Sequence, residues 1–421
     1  MPPRPDYRPA TTHAALGDEF FDRVDPATFP KHVLRRRNQR WAARVGLDTL
    51  TDAEWLAHFG AFTPLPGSFP QPLALRYHGH QFRSYNPDLG DGRGFLFAQL
   101  HDLQDGRLLD LGTKGSGQTP WSRSGDGRLT LKGGVREVLA TEMLEALGVY
   151  SSKSFSLVET GEDLRHSDEP SPTRSAVLVR LNHSHVRIGS FQRFATLKQP
   201  NNIARLLDHA IRTYLPKAWR DDPAERATAF FTDVIGRVAR LGGQWMAAGF
   251  VHGVLNTDNI NITGESFDYG PWRFLPTYDP EFTAAYFDHN GLYALASSPT
   301  RCCGTWSAWP NACCRCPTRP RWKPCCKRSR RSSTGRSTLR CCAASAWGRP
   351  ATNRTRRWLR TGGPSWRRAA SASSGRSSIG TAALAVPAGP TPGQRPSTTR
   401  TRSSPPSARR FQATRPPPAS S

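Results

Sequence analysis

The sequence predicts an α+β fold of two lobes, a first lobe built around a β-sheet and a second, helical lobe. Two observations carry this prediction. Short apolar runs of strand length, bounded by glycine and aspartate turns, dominate residues 71–195. Two long stretches with apolar side chains at helical spacing follow them, before residue 250.

The first lobe is predicted to alternate strands and helices in a definite order. We expect strands at Gly94 to Leu100 and Leu108 to Leu111, followed by a Gly- and Ser-rich loop from Gly115 to Gly127. An amphipathic helix is expected from Val135 to Leu147, and two further strands at Ser154 to Glu159 and Ser175 to Leu181. This is the order of elements in the N-lobe of a protein kinase, so the predicted fold is protein-kinase-like.

The second lobe is predicted from two helices, Asn201 to Leu215 and Ala227 to Ala248. In the longer one, Phe230, Val234 and Val238 fall on one face. Before both lobes lies a Pro-rich segment with a short helical stretch from Asp52 to His58. We divide the chain into an N-terminal extension (1–70), a kinase-like N-lobe (71–195), a partial helical C-lobe with a catalytic loop (196–296) and a C-terminal tail (297–421).

The positive charge of the chain is concentrated in the tail. A net charge of +25 would by itself suggest a nucleic-acid or membrane partner. Residues 297–421, however, contain no Asp or Glu and 25 of the 58 Lys and Arg, so residues 1–296 carry equal numbers of basic and acidic residues. We therefore expect no specific nucleic-acid partner.

The tail has three interpretations: a natural disordered basic segment, a zinc module, and the product of a frameshift in a GC-rich gene. All nine cysteines lie in the tail, but Cys313 to Cys316 has the one C-x-x-C spacing and no tail histidine exists, which disfavours zinc. Abundant Arg, Ser, Pro, Cys and Trp without acids is typical of GC-rich codons read out of frame. We favour the frameshift and expect disorder.

The remaining sequence indicates a soluble protein. The N-terminus has no apolar core of a secretion signal, and no run approaches the roughly 18 apolar residues of a membrane helix. We expect a cytoplasmic monomer without a membrane partner.

Polar side chains cluster in the segment from Val251 to Pro271. Asp258 and Asn259 lie in a loop, and Asp268 begins an Asp-x-Gly sequence. Kinases place an Asp and an Asn in the catalytic loop and an Asp-x-Gly after it, where their oxygens bind Mg²⁺. Asp258 could accept a hydroxyl proton while Asn259 and Asp268 hold the metal. The alternative is a set of turn and cap residues.

Two further segments suggest phosphate binding. Lys114 follows a short apolar strand, and Glu137 on the next helix could pair with it. The Gly and Ser residues after Lys114 could let backbone N–H groups approach phosphates. In Pro87 to Gly94, the residues Gly90, Gly92 and Arg93 could form a turn that presents a guanidinium to phosphate. A flexible loop and a hairpin turn are the respective alternatives.

Two arginines and two histidines lie shortly before the second lobe. Arg180 and Arg187 could balance a triphosphate, although solvated surface cations are usual. His183 and His185 could form a metal pair, but no third ligand accompanies them, which favours ordinary polar packing.

The strings YHGHQF, NPDLGDGRG, LGTKGSGQTPWSRSGDGR, NHSHVRIGSF and HGVLNTDNINITGESFDYGP resemble the selenoprotein O family of protein adenylyltransferases. The resemblance runs from about Phe20 to Leu295. It implies a kinase-like fold in which ATP binds in reverse, so that AMP moves to Ser, Thr or Tyr hydroxyls of protein substrates and pyrophosphate leaves.

The resemblance also implies roles for particular residues. Asp258 would be the proton acceptor, Asn259 and Asp268 would bind Mg²⁺ or Mn²⁺, and Glu137 would hold Lys114. The implied nucleotide contacts are Gly90, Gly92, Arg93, Lys114, Asp126, Gly127, Arg180, Arg187 and Asp268.

The sequence departs from the family pattern at three places. Arg83 stands where the family usually has Gly, and Gly94 where it usually has Ala. The resemblance ends near Leu295, so the rest of the C-lobe is expected to be missing. Protein kinase activity, or nucleotide binding without transfer because of the truncated C-lobe, are therefore the alternative functions.

Overall fold

A computed structural model describes residues 3–165 and 170–297 of the protein. The interpretations of the tail as disordered, as a zinc module or as a frameshift product lie outside these residues.

The described residues form a mixed set of strands and helices. The strands are β1 Pro9–Ala10, β2 Phe21–Arg23, β3 Val33–Arg37, β4 Leu73–Leu75, β5 Gly79–Gln81, β6 Ser84–Asn86, β7 Leu96–His101, β8 Leu108–Lys114, β9 Leu129–Thr130, β10 Lys153–Leu164, β11 Thr173–Asn182, β12 Phe250–His252 and β13 Trp272–Phe274. The α-helices are α1 Gln39–Arg44, α2 Asp52–Phe59, α3 Leu131–Ala146, α4 Ile188–Thr196, α5 Pro200–Tyr214 and α6 Pro223–Ala247. Short 3₁₀ turns lie at Thr12–Leu16, Pro216–Ala218, Thr257–Asn259 and Leu295–Ser297.

One antiparallel sheet organises the first lobe. Its strand order is β2-β4-β7-β8-β11-β10-β3, with β1 paired to β7 and β9 paired to β11. Two small two-stranded sheets, the hairpin β5–β6 and the pair β12–β13, lie outside this sheet. The combination of this sheet with six helices confirms the predicted α+β class.

The N-terminal 70 residues are part of this sheet. Strands β1, β2 and β3 pair with β7, β4 and β10, respectively. These three strands were not among the predicted elements, whereas the short helix predicted from Asp52 to His58 is present as α2. Its capping box, in which Thr51 and Glu54 satisfy each other's backbone N–H groups, explains why it starts there.

The strands and helices predicted for both lobes are confirmed with small shifts at their ends. α3 begins at the N-cap Thr130, whose side chain accepts the Gly133 N–H. α6 begins in the same way at Asp222, followed by Pro223. Such caps satisfy N–H groups that have no partner within the helix.

Two large hydrophobic clusters form most of the core of the described residues. One covers a face of the sheet and includes Trp55, Phe97 and Phe155. The other contains the buried face of α6, with Phe230 and Val234, and continues under the sheet. Each fully buried side chain of this size contributes about 1.5–3 kcal/mol. No helix of residues 3–165 or 170–297 has the length and apolar character to cross a membrane.

Candidate active site

A cavity of about 710 Å³ opens between the sheet and the loop that follows β12. It is lined by Asp258 and by every residue predicted to contact nucleotide, namely Gly90, Gly92, Arg93, Lys114, Asp126, Gly127, Arg180, Arg187 and Asp268. Glu137 and Asn259 are not among its lining residues. Residues far apart in sequence, singled out on separate motifs, are thus brought to one cavity.

The cavity is strongly cationic. Seven cationic side chains line it against four carboxylates, an excess of three positive charges. The cations are Arg93, Lys114, Arg123, Arg128, Arg165, Arg180 and Arg187, and the carboxylates are Asp91, Asp126, Asp258 and Asp268. A concave surface with this charge attracts a polyanion such as a triphosphate.

Lys114 lies at the end of β8 and joins two acids. Its Nζ is 2.5 Å from Glu137 Oε1 on α3 and 3.0 Å from Asp268 Oδ1. Lys114 and Glu137 are both buried. The sheet, the helix and the Asp-x-Gly segment are therefore connected through one ammonium group. A Lys–Glu pair and an Asp-x-Gly aspartate are also parts of the active site of protein kinases.

Asp268 is held by two guanidinium groups as well. Arg180 Nη1 donates to Oδ1 at 3.2 Å, and Arg187 Nη1 donates to Oδ2 at 3.2 Å. Burial by itself would raise the pKa of Asp268, but Lys114, Arg180 and Arg187 hold that pKa well below its usual range. Asp268 has a φ of 60°, a left-handed conformation that is uncommon outside glycine and that aims its carboxylate at these cations.

Arg187 connects three parts of the site. Besides Asp268, it donates to the backbone carbonyl of Asp258 at 2.8 Å and to Asp91 Oδ1 at 2.9 Å. Sequence reasoning missed Asp91, because an Asp-Gly pair in a Gly-rich string indicates a turn. Burial raises the pKa of Asp91, partly offset by Arg187.

The two glycine-rich segments pack against each other. Thr119 Oγ1 donates to the Asp91 carbonyl at 2.6 Å, and Ser122 Oγ donates to the Gly92 carbonyl at 2.5 Å. Trp121 lies directly on Gly90, where a Cβ would come within 2.3 Å of its ring. The segments flanking Arg93 and Asp126, both exposed at the cavity, thus form one wall.

Asp258 and Asn259, predicted to belong to a catalytic loop, lie in the 3₁₀ turn Thr257–Asn259. Asn259 is buried, donates to the Val254 carbonyl at 2.6 Å and accepts the Asn256 N–H at 2.8 Å. The Oδ1 atom of Asp258 is buried without a hydrogen-bond partner among the described residues. Burial raises the pKa of Asp258 to about 6.

The donor atoms fit a hard divalent cation. An anionic Asp268 and the amide oxygen of Asn259, which retains a free lone pair, are oxygen ligands of the kind that Mg²⁺ binds together with water and phosphate. No group of three or more His, Cys, Asp or Glu with metal-site geometry occurs within residues 3–165 and 170–297. A metal here would therefore need ligands from the nucleotide as well.

The two histidines after β11 pack differently, since His183 has a hydrogen-bond partner and both ring nitrogens of His185 are buried without one among the described residues. His183 Nδ1 lies 2.8 Å from the Tyr150 hydroxyl, and the His185 ring covers Gly112. Burial lowers the pKa of His183 to about 3, so it is neutral.

The family model described as "Protein adenylyltransferase SelO" matches residues 5–307. The chain belongs to the SelO family. Among relatives, the protein nucleotidyltransferase YdiU of Synechococcus elongatus is 55% identical over 298 residues, covering 70% of this chain and 59% of the relative. That of Synechocystis sp. is 56% identical over 299 residues, covering 70% and 61%. That of Vibrio cholerae is 39% identical over 294 residues, covering 70% and 58%.

This SelO-family chain spans about three-fifths of the length of the curated relatives it matches. Among solved structures, ROP2 from Toxoplasma gondii, described as a virulence factor with a protein-kinase fold and no enzymatic activity, aligns with 12% identity and a TM-score of 0.28. The alignment covers 69% of this chain and 82% of ROP2, and at this score it carries no argument.

Proposed function

We propose that this chain binds ATP with Mg²⁺ and transfers AMP to Ser, Thr or Tyr hydroxyls of proteins. The observation that carries the proposal is the cationic cavity in which Lys114, Arg180 and Arg187 surround Asp268 beside Asp258. The description of the matching family favours AMP transfer over phosphoryl transfer.

Charge neutralisation is the first task of such a site. The triphosphate carries several negative charges, and the excess of cations in the cavity offsets them. Lys114 is held in place by Glu137, Arg180 by Asp268, and Arg187 by Asp268 and Asp91, so all three cations are fixed before the ligand arrives. Because these groups need no reorganisation, they stabilise the charge that develops on the leaving pyrophosphate. Gly90, Gly92 and Gly127 would let backbone N–H groups approach the phosphates, with Arg93 and Asp126 at the cavity's exposed side.

Proton transfer is the second task. Asp258, which lines the cavity, takes the proton of the acceptor hydroxyl with its carboxylate. The hydroxyl oxygen then forms a bond to the α-phosphorus, the bond from that phosphorus to the bridging oxygen breaks, and pyrophosphate leaves. Asn259 and Asp268 would hold Mg²⁺, which supplies Lewis-acid stabilisation of the phosphate oxygens when bound.

The test compares the position of a radioactive label. Purified full chain is incubated with Mg²⁺, candidate acceptor proteins and ATP labelled at either the α- or the γ-phosphate. We expect protein labelling from the α-label alone, and its loss in Asp258→Asn but not in the matched surface variant Asp233→Asn. Labelling from the γ-phosphate would instead establish a kinase. Tight ATP binding without either label would establish nucleotide binding without transfer.

A further inference from the structure

A hairpin from the first lobe reaches the catalytic loop. Strands β5 and β6 pair Gly79 with Asn86 and Gln81 with Ser84. The hairpin is attached to the loop by its backbone, since the His80 N–H donates to Thr257 Oγ1 at 2.8 Å. Gln81 lines the cavity and donates through Nε2 to Asp258 Oδ2 at 3.3 Å. Motif reasoning did not single out this glutamine.

A chain of three hydrogen bonds fixes which end of the Gln81 amide meets Asp258. The backbone N–H of Asp88 can only donate, and it donates to Asn86 Oδ1 at 2.9 Å. Asn86 must therefore present its amino group, which donates to Gln81 Oε1 at 3.1 Å. Gln81 in turn presents its own amino group to the carboxylate. The direction of every bond follows from one backbone donor, which removes the usual ambiguity of amide orientation.

We propose that Gln81 orients the carboxylate of Asp258 and that Asn86 sets the orientation of Gln81. With Oδ2 bonded to the Gln81 amide and Oδ1 buried against Gly79, rotation of the carboxylate is restricted and its position in the cavity wall is fixed. Gln81 and Asn86 are positioning residues, because they act through Asp258. The inference rests on the proposed function for its consequence, but the contact itself can be tested without it.

The hairpin does not need these side chains for its own stability. Its backbone pairing and the His80–Thr257 hydrogen bond hold it independently. Substitutions of Gln81 and Asn86 should thus leave the fold intact while changing the catalytic geometry.

The kinetic test uses one isosteric change that is remote from substrate. In Asn86→Asp, the new carboxylate still accepts the Asp88 N–H but cannot donate to Gln81, so it competes with Asp258 for the Gln81 amino group and the orientation of the amide is no longer fixed. We expect kcat for AMP transfer to fall about ten- to a hundredfold in Asn86→Asp and in Gln81→Leu, with KM for ATP unchanged. Ser84→Asp, which adds the same charge on the same strand, and Gln104→Leu, at an exposed turn, should both retain the parent kcat.

The double variant discriminates an orientation effect from general damage. If Asn86 acts through Gln81, then Asn86→Asp adds little to Gln81→Leu. The proposal would be overturned if the kcat losses of the two single variants multiplied in the double variant, or if Asn86→Asp and Ser84→Asp had equal kcat values.

A spectroscopic measurement separates this inference from the proposed function. The side-chain amide signals of Gln81, assigned by their absence in Gln81→Leu, are recorded by ¹H–¹⁵N NMR without nucleotide. We expect them to shift in Asp258→Ala and in Asn86→Asp and to stay in place in Ser84→Asp. Shifted signals in a protein that transfers no AMP would uphold the contact and reject the proposed activity. Unshifted signals in Asp258→Ala would reject the contact.

Discussion

Asp268 is the acid whose removal should matter most to the folded state. The substitution Asp268→Ala removes the acceptor of hydrogen bonds from Lys114 at 3.0 Å and from Arg180 and Arg187 at 3.2 Å. All three cations are buried. Burial of a charge without a partner is costly, so the fall in the free energy of unfolding depends on how many cations lose their last acidic partner.

Two of the three cations keep a second acid. Lys114 retains Glu137, and Arg187 retains Asp91, whereas Asp268 is the acid paired with Arg180. The free energy of unfolding should therefore fall by the cost of breaking one buried ion pair, about 3 kcal/mol at the low end of measured values. For a folded part of this size, that loss lowers the melting temperature by about 6 °C.

The assay is thermal unfolding followed by circular dichroism, with metal chelated, for the parent, Asp268→Ala and Asp233→Ala. Asp233 pairs with Arg237 at the surface of α6, so its loss should change stability by no more than about 0.5 kcal/mol. Adding ATP under the same conditions should raise the melting temperature of Asp268→Ala more than that of the parent, because the phosphates replace the missing acid. Equal melting temperatures in Asp268→Ala and Asp233→Ala would refute this reasoning.

Three shorter predictions follow from the same structure. Gly90→Ala should weaken ATP binding in calorimetry, since its Cβ would clash with Trp121. In the control Gly243→Ala in α6, the added Cβ meets no atom within 4 Å, so this variant should bind ATP normally and gain about 1 kcal/mol in unfolding free energy. Burial raises the pKa of Glu265 to about 7, so the folded state holds a proton that the unfolded state loses above about pH 4. Relative to Glu265→Gln, the parent should lose unfolding free energy in urea as pH rises from 5 to 8; equal slopes in the two proteins would contradict the assignment. Arg83 has a φ of 70°, so Arg83→Gly should raise the unfolding free energy by about 1 kcal/mol, and no gain would mean that the turn is unstrained.

Sequence patterns predicted the elements that have strong periodicity. α6 presents Phe230 and Val234 on one face, and β8 is a short apolar run before Lys114, so both were identifiable from spacing. The candidate site residues of those segments could be named because each stands at a fixed offset from such an element. Their assigned roles remain predictions.

Tertiary pairing explains what the patterns did not reveal. β3 contains the run Arg35 to Arg37, which is not typical of a strand, yet it pairs with β10 and its arginines find acids such as Glu159 and Asp52. Asp91 and Gln81 likewise occur in turn-like strings, and their importance depends on Arg187 and Asp258, which are distant in sequence.

The N-terminal strands impose an order on biosynthesis. Val33–Arg37 leaves the ribosome well before its partner β10, whose paired residues are Ser156 to Glu159. At typical translation speeds this interval is on the order of ten seconds. During that time the nascent chain carries Phe21, Trp55 and Phe59, all destined for the interior, without the strands that will cover them. Efficient production of this protein should therefore depend on chaperones that shield nascent chains, more than would a protein whose first strands pair locally.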